Sequence, residues 1–422
     1  MRVLVVGTNR MCHDRLHAQG HELVLLVPRG RARPQDAAGP YRHVVILDDE
    51  ADIGLWTGVA QVLHAAAPFD AVAAFNEHTY RVVRAVSDRL GVPTVVDVEL
   101  FERVLDKSRT REILDKHGVP GCRHRLAHGR DSLLAAIRTV GLPCIVKPVD
   151  GEASAGVTRM DSPADVEAAL LRLGEPGLGR GVMVEEFLVG PEFSVEAVSV
   201  GTRHHVLAIT RKFRDDRTFV ERGHLVPAPL NAADREAITR YVERVLDVLG
   251  FHDCPSHTEI VLTDRGPRII ETHNRIGGDG IMDLVELATG VDVHDLVARQ
   301  SIGEDLSALL PEPVTAHRGA AVWYADPSGP PTNILVEVQE VERVRRLPSV
   351  HRVDLLKQPG SPQTAVLQSG DRSARVLATG DTPAAALRHA QEAVRALRFV
   401  YSWSPPATDA PSASPATDHG TV

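Results

Sequence analysis

The stretch HTEIVLTDRGPRIIETH, residues 257–273, reads as two apolar strands flanking the turn signal Asp264-Arg265-Gly266. Alternating hydrophobic runs on either side of such a turn predict a β-hairpin with a three-residue loop. A loop centred on Arg265 sets Glu259 directly opposite Glu271. Like charges facing each other across strands repel, so the pair needs something positive between them. Paired hard carboxylates suit Mg²⁺, which shares its shell with nucleotide phosphates. An exposed hairpin with two solvated acids is the plain alternative.

Working outward, the segment Cys144-Ile145-Val146-Lys147-Pro148 reads as a strand ending in a lysine, followed by the small-residue run Asp150–Val157. Gly151, Ser154 and Gly156 allow backbone N–H groups to approach phosphate oxygens closely, although a surface turn explains the glycines equally well. The chain holds only five lysines (Lys107, Lys116, Lys147, Lys212 and Lys357) among 47 basic residues. A lysine at a strand end before such a loop therefore carries weight, as a compact cation placed to meet phosphate. Next, Val182–Val195 reads as strand, turn and strand, with Glu185, Glu186 and Glu192 either functional or polar positions on a half-exposed sheet.

The first hundred residues alternate short apolar runs (Val3–Val6, Leu23–Val27, Val44–Leu47, Ala71–Phe75) with helical stretches such as Leu55–Ala66, which predicts a parallel α/β unit. Gly7-Thr8-Asn9-Arg10 follows the first strand as a phosphate or substrate turn without the full dinucleotide fingerprint. The region 104–143 is helical with breaks at Gly118-Val119-Pro120 and Gly141-Leu142-Pro143. A long helix is expected over Ala232–Leu249, with Ile238, Val242, Val245, Leu246 and Leu249 on its buried face. Beyond 310 come short strands and one helix near Pro383–Leu397. The last twenty residues, rich in Pro, Ser, Ala and Thr, are expected to be disordered. A net charge of −9 over 422 residues argues against a nucleic-acid scaffold. No apolar stretch is long enough for a membrane span. Four scattered cysteines (Cys12, Cys122, Cys144, Cys254) read as reduced thiols of a cytoplasmic protein.

Lys107, Lys147-Pro148, the small-residue loop, Glu185–Glu192 and the Glu259/Glu271 pair stand in the order and approximate spacing of the ATP-grasp superfamily. The chain resembles its carboxylate–amine ligases, and most closely the L-amino-acid (dipeptide) ligases. The resemblance implies that Lys107 and Lys147 hold the nucleotide phosphates and that Gly151–Gly156 closes over them. It implies adenine contacts from Glu186 and Leu188 with Glu185 nearby, ribose contacts from Glu192, and metal contacts from Glu259 and Glu271. Within the subgroup, Glu221 and His224 of the segment Phe219–His224 would face the amino-acid substrate or handle the amine proton. Glu77, after an early strand, would approach a substrate amine, and Arg275 would stabilise the carboxyl phosphate or grip a carboxylate. Taken alone, Glu221 and His224 read as an Arg-paired surface acid and a loop histidine.

One departure from the family pattern stands in Glu271-Thr272-His273-Asn274-Arg275. The usual asparagine two positions after the second Glu is His273 here, so either His273 takes its place or a bulge brings Asn274 inward. Imidazole suits Mn²⁺ better than Mg²⁺.

The expected fold is α/β with ATP-grasp architecture: an N-terminal open parallel-sheet domain (1–103), a central region with a small α+β lid (104–185), the catalytic core (186–310), a β-rich mixed-sheet C-terminal subdomain (311–403) and a tail (404–422). The expected function is ATP-dependent amide formation from a small-molecule carboxylate and an amine, through an acyl phosphate, with ATP and Mg²⁺ (or Mn²⁺) and without nucleic-acid or membrane partners. A homodimer is left open. The rivals are a purine-pathway ligase, a carboxylase-type enzyme, and an ATP-binding regulatory module that does not ligate.

Overall fold

The structure is a computed structural model that describes residues 1–48, 52–149, 156–311, 313–327 and 329–403. Gly151, Ser154 and the tail beyond 403 lie outside the described residues. Four strands, β1 (Arg2–Val6), β2 (Glu22–Pro28), β3 (Tyr41–Leu47) and β4 (Ala71–Ala74), form a parallel sheet in the order β3-β2-β1-β4. β1 and β2 are apolar on both faces because helices cover both. The strand order reverses between β1 and β4, and open α/β sheets bind ligands at such a point, outside the strand ends. There the Thr8 N–H and hydroxyl donate to the Asn76 side chain at 3.0 and 2.6 Å, joining the two strand exits.

A second four-stranded sheet comprises β5 (His124–Ala127), β6 (Cys144–Pro148), β7 (Thr158–Met160) and β8 (Val182–Glu186), in the order β5-β8-β6-β7. It carries its own small core of Leu133, Ile137, Val146, Met160 and Val184. Its strands fall in the region expected to contain the lid, and the name is kept for this sheet. Gly118 and Gly141 take positive φ, 67° and 88°, at the two helix stops read from the sequence.

The largest sheet has eight strands. They are drawn from β9 (Glu192–Val200), β10 (Arg203–Arg214), β11 (Glu221–Val226), β12 (Pro255–Thr263), β13 (Gly266–His273) and β14 (Gly319–Ala325), and, past the ribbon strand β15 (Asn333–Gln339), from β16 (Val350–Leu355) and β17 (Ala374–Gly380). The order is β13-β12-β9-β10-β11-β14-β17-β16, antiparallel at every pairing, and β15 pairs separately with β18 (Arg398–Trp403). The sheet runs across position 310, so the strands expected as a C-terminal subdomain share a sheet with those of the core.

One face of this sheet is apolar at β9, β10, β12 and β13, through Phe193, Val195, Ile209, Ile260 and Ile269. Against it lies the helix Ala232–Leu249, whose Ile238, Val242, Val245, Leu246 and Leu249 are all buried, as the helical spacing predicts. Each such side chain contributes about 1.5–3 kcal/mol relative to exposure. The helix starts at Asn231, whose side chain accepts from the Asp234 N–H, and stops at Gly250 with φ 78°. All four cysteines are buried. Among the described residues no helix is long and apolar enough to cross a membrane.

Candidate active site

The other face of the same strands is polar and buried. Strand alternation puts Glu192, Ser194 and Glu196 of β9 on it, with Thr210, Lys212 and Arg214 of β10 and His257 and Glu259 of β12 alongside. Two bulges complete it. The hairpin loop is shorter than expected: Thr263 pairs Gly266, leaving only Asp264 and Arg265 in the turn. That register alone would turn Glu271 to the apolar side. A shift between Ile260 and Glu259 leaves Ile270 unpaired, and beyond it Glu259 faces Glu271 and His257 faces His273. The guanidinium of Arg111 takes the Ile270 carbonyl at 2.6 Å.

The second bulge lies in Phe219–His224, which the sequence reading took for a loop. Residues from Glu221 on form β11, an interior strand between β10 and β14. Lys212 pairs His224 and Arg214 pairs Glu221, so the skipped Arg222 brings Glu221 and His224 to one face despite their three-residue spacing. Gly223 marks a close approach rather than a turn: a Cβ there would stand 2.3 Å from the Trp323 ring and 2.6 Å from the Val322 carbonyl.

Between the lid and this polar face runs a cleft. Its lining includes Lys107, Lys147, Glu185, Glu186, Leu188, Glu192, Glu221, Glu259 and Glu271. Lys107 begins a helix capped by Asp106, and its ammonium is 3.3 Å from Glu271. Lys147, the penultimate residue of β6, lies 2.7 Å from Glu185, whose other oxygen accepts from Arg111 at 3.0 Å. Burial alone would push the Glu185 carboxyl up, but Arg111 and Lys147 outweigh it and hold it at about 2. Glu186 turns outward to Arg265 and Arg123. Gly156, the one described member of the loop's small positions, has φ 74° and sits on Pro148.

Lys212, which the sequence reading named but gave no role, is the hub of the cleft. Its fully buried ammonium meets Glu259, Glu221 (3.0 Å) and Glu192 (3.4 Å). Burial opposes its charge, yet the three carboxylates raise its pKa well above the ordinary lysine value. Its scarcity as a residue type was the available signal. Arg214 gives Glu192 a second cation at 2.8 Å.

Past Glu271 a chain of contacts leads out of this cleft. His273 has Nε2 3.3 Å from Glu271 and Nδ1 2.9 Å from Glu77, and the other Glu77 oxygen accepts from Arg275 at 3.0 Å. Burial would raise the Glu77 carboxyl, but His273 and Arg275 hold it at about 2. Burial lowers and the two carboxylates raise the pKa of His273, the net shift being upward. Both ring nitrogens of His273 thus face carboxylates, with Nε2 on the side of Glu271. Asn274 does not turn toward Glu271; its amide points to the Asp97 carbonyl at 3.4 Å.

Glu77 and Arg275 line a larger cleft of about 880 Å³ at the switch point of the parallel sheet, which also reaches Asp279. Asp279 receives both Arg372 nitrogens, at 2.9 and 2.8 Å, and lies 3.7 Å from Nε2 of the buried His224. Neither ring nitrogen of His224 has a hydrogen-bond partner among the described residues. Burial pushes the Asp279 carboxyl up, but His224 and Arg372 pull it far below the ordinary range. Arg372, from the turn before β17, also reaches the Glu221 carbonyl at 3.3 Å. Nothing in the sequence ties Arg372 to positions so far upstream.

Glu259 and Glu271 fit a divalent ion bound with a nucleotide: two opposed carboxylates at the cleft, each balanced by a lysine, with no third protein ligand grouped with them among the described residues. Mg²⁺ takes one or two carboxylates and completes its shell with phosphate and water.

This arrangement has close parallels. An ATP-grasp domain model matches residues 140–283, and a model of the L-amino acid ligase C-terminal domain 2 matches residues 330–402. Residues 140–283 are thus those of an ATP-grasp domain. The chain is 29% identical over 304 residues to protein y4rH of Sinorhizobium fredii, covering 71% of this chain and 61% of that one. It is 25% identical over 264 residues to alanine–anticapsin ligase of Bacillus subtilis, covering 57% and 56%. The matches thus span less than two thirds of either relative. The crystal structure of an L-amino acid ligase from Bacillus licheniformis superposes with a TM-score of 0.83 at 23% identity, over 95% of this chain and 98% of that one. That likeness establishes the ATP-grasp fold over nearly the whole chain.

Proposed function

We propose that this ATP-grasp chain is an ATP-dependent carboxylate–amine ligase that forms an amide through an acyl phosphate, with an amino acid as one substrate and ADP and phosphate as co-products. The observation that carries the reading is one cleft in which Lys107 and Lys147 stand beside the opposed Glu259 and Glu271. Carboxylate and triphosphate repel, so joining them requires cations fixed in advance at the meeting point. Lys107 and Lys147 supply them on the nucleotide side, and Arg275 on the side of the larger cleft. Glu186 and Leu188 border the adenine end, and Glu192 is placed for the ribose. Mg²⁺ held by Glu259 and Glu271, when bound, supplies further positive charge at the terminal phosphates.

In this reading a substrate carboxylate oxygen attacks the γ-phosphorus and ADP leaves. The amine nitrogen then attacks the acyl carbon, phosphate leaves, and the nitrogen gives up a proton. His224 is the proposed acceptor of that proton, because Glu77 has both oxygens committed to His273 and Arg275, and Glu221 has its own on Lys212 and Ser369. A screen of amino-acid pairs for ATP-dependent phosphate release, with mass spectrometry of the amide, tests the proposal. Release that requires both an acid and an amine supports it. ATP binding without turnover across the screen favours a regulatory module.

A further inference from the structure

Behind the opposed glutamates stands a second cross-strand pair. His257 faces His273, their rings 6.4 Å apart and inclined by 26°. His273 backs Glu271 and is itself backed by Glu77. His257 repeats the pattern: Nε2 lies 3.2 Å from Glu259 and Nδ1 lies 2.9 Å from Glu196. Glu196 is only 1% exposed, accepts the Ser194 hydroxyl at 2.7 Å, and lines neither cleft, so no substrate or nucleotide contact explains this buried acid.

What the pair acts on is the rotamer of Glu259. His257 and Lys212 both meet Oε1 of that carboxylate, so both contacts hold the same oxygen and fix the direction of the group. A glutamate on a strand has three rotatable side-chain bonds, and a ligand oxygen is useful to a metal only when its direction is fixed. The chain also leaves room for the device. A Cβ on Gly277 would stand 2.8 Å from Glu196 Oε2 and 2.8 Å from His257 Nδ1, whereas one on the adjacent Gly278 would meet nothing within 4 Å.

We propose that Glu196 and His257 are positioning residues that fix the Glu259 carboxylate for the metal, and that Gly277 stays small because their pair fills the space of its side chain. The proposal rests on reading Glu259 as a metal-side carboxylate. It places a determinant of metal affinity on the Arg275–Asp279 loop of the larger cleft, beyond the metal-side carboxylates themselves.

The test measures Mn²⁺ affinity by the electron paramagnetic resonance of free Mn²⁺ with a non-hydrolysable ATP analogue present, beside the analogue's own affinity without metal. His257→Phe, Glu196→Ala and Gly277→Ala are expected to weaken Mn²⁺ binding on the order of tenfold or more. Glu196→Gln, which keeps the acceptor for His257, should recover most of that loss. Gly278→Ala should stay within twofold of the parent, and metal-free analogue affinity should be unchanged throughout. A folded His257→Phe protein with parental Mn²⁺ affinity overturns the proposal. Should that variant fail to fold, the two glycine variants decide: equal effects of Gly277→Ala and Gly278→Ala overturn it. A parent that binds no Mn²⁺ with the analogue overturns instead the metal-side reading of Glu259, and this proposal with it.

Discussion

At the scale of single residues, the site is organised by buried lysines paired with acids, of which Lys212 serves three. Lys147 lines the nucleotide cleft and is held by Glu185 at 2.7 Å. Lys147→Ala is expected to lower turnover about a hundredfold, the equivalent of roughly 3 kcal/mol of transition-state stabilisation, while the protein stays folded because Arg111 remains on Glu185. Steady-state kinetics beside a thermal melt checks both. Lys212 differs, since its removal leaves Glu192, Glu221 and Glu259 buried together without their common counter-ion. Lys212→Met should cost about 3–5 kcal/mol of stability without metal. Millimolar Mg²⁺ should restore more of it than it adds to the parent, because an ion at Glu259 replaces the lost charge; urea denaturation with and without Mg²⁺ measures the difference. The sequence exposed Lys147 and the two facing glutamates, because strand ends and hairpins are local patterns; Lys107, at the start of a helix, was legible only through the family resemblance. Lys212 escaped because its meaning lies in three strands converging on it.

At the scale of elements, faces are set by bulges that no period-2 reading contains. A three-residue loop put Glu259 opposite Glu271 on paper. The protein reaches the same pairing with a two-residue turn and an unpaired Ile270, stabilised by Arg111 from a distant helix. Likewise the segment around Gly223 reads as a loop, while it forms an interior strand in which the Trp323 ring demands the glycine. Arg111 also ties the lid to the core, joining Glu185 on β8 to the Ile270 carbonyl on β13. Because the folded-state pKa of Glu185 is about 2 against an ordinary 4.5, its stabilising effect is complete above about pH 4.5 and is lost as pH falls toward 2. Glu185→Gln should therefore be less stable than the parent by about 3–5 kcal/mol at pH 7. The gap should narrow steadily between pH 4.5 and 2, as urea denaturation across that range will record. A constant gap would mean that the charge of Glu185 plays no part.

At the scale of the whole molecule, the parallel N-terminal sheet and the helix Ala232–Leu249 were legible from apolar runs and helical spacing alone. The continuity of the eight-stranded sheet across position 310 was not, since strand neighbours far apart in sequence are chosen by packing. That continuity brings Arg372 to Asp279 and Glu221. Arg372→Met should impair amide formation tenfold or more while leaving nucleotide affinity intact, because Arg372 does not line the nucleotide cleft; substrate kinetics beside calorimetric titration of an ATP analogue separate the two. The central claim, that a carboxylate is phosphorylated before an amine attacks it, is tested most directly by isotope transfer. With an acid substrate from the amino-acid screen carrying ¹⁸O in its carboxylate, the account predicts one ¹⁸O atom in each molecule of phosphate released alongside the amide. Amide formation with phosphate free of ¹⁸O would contradict it.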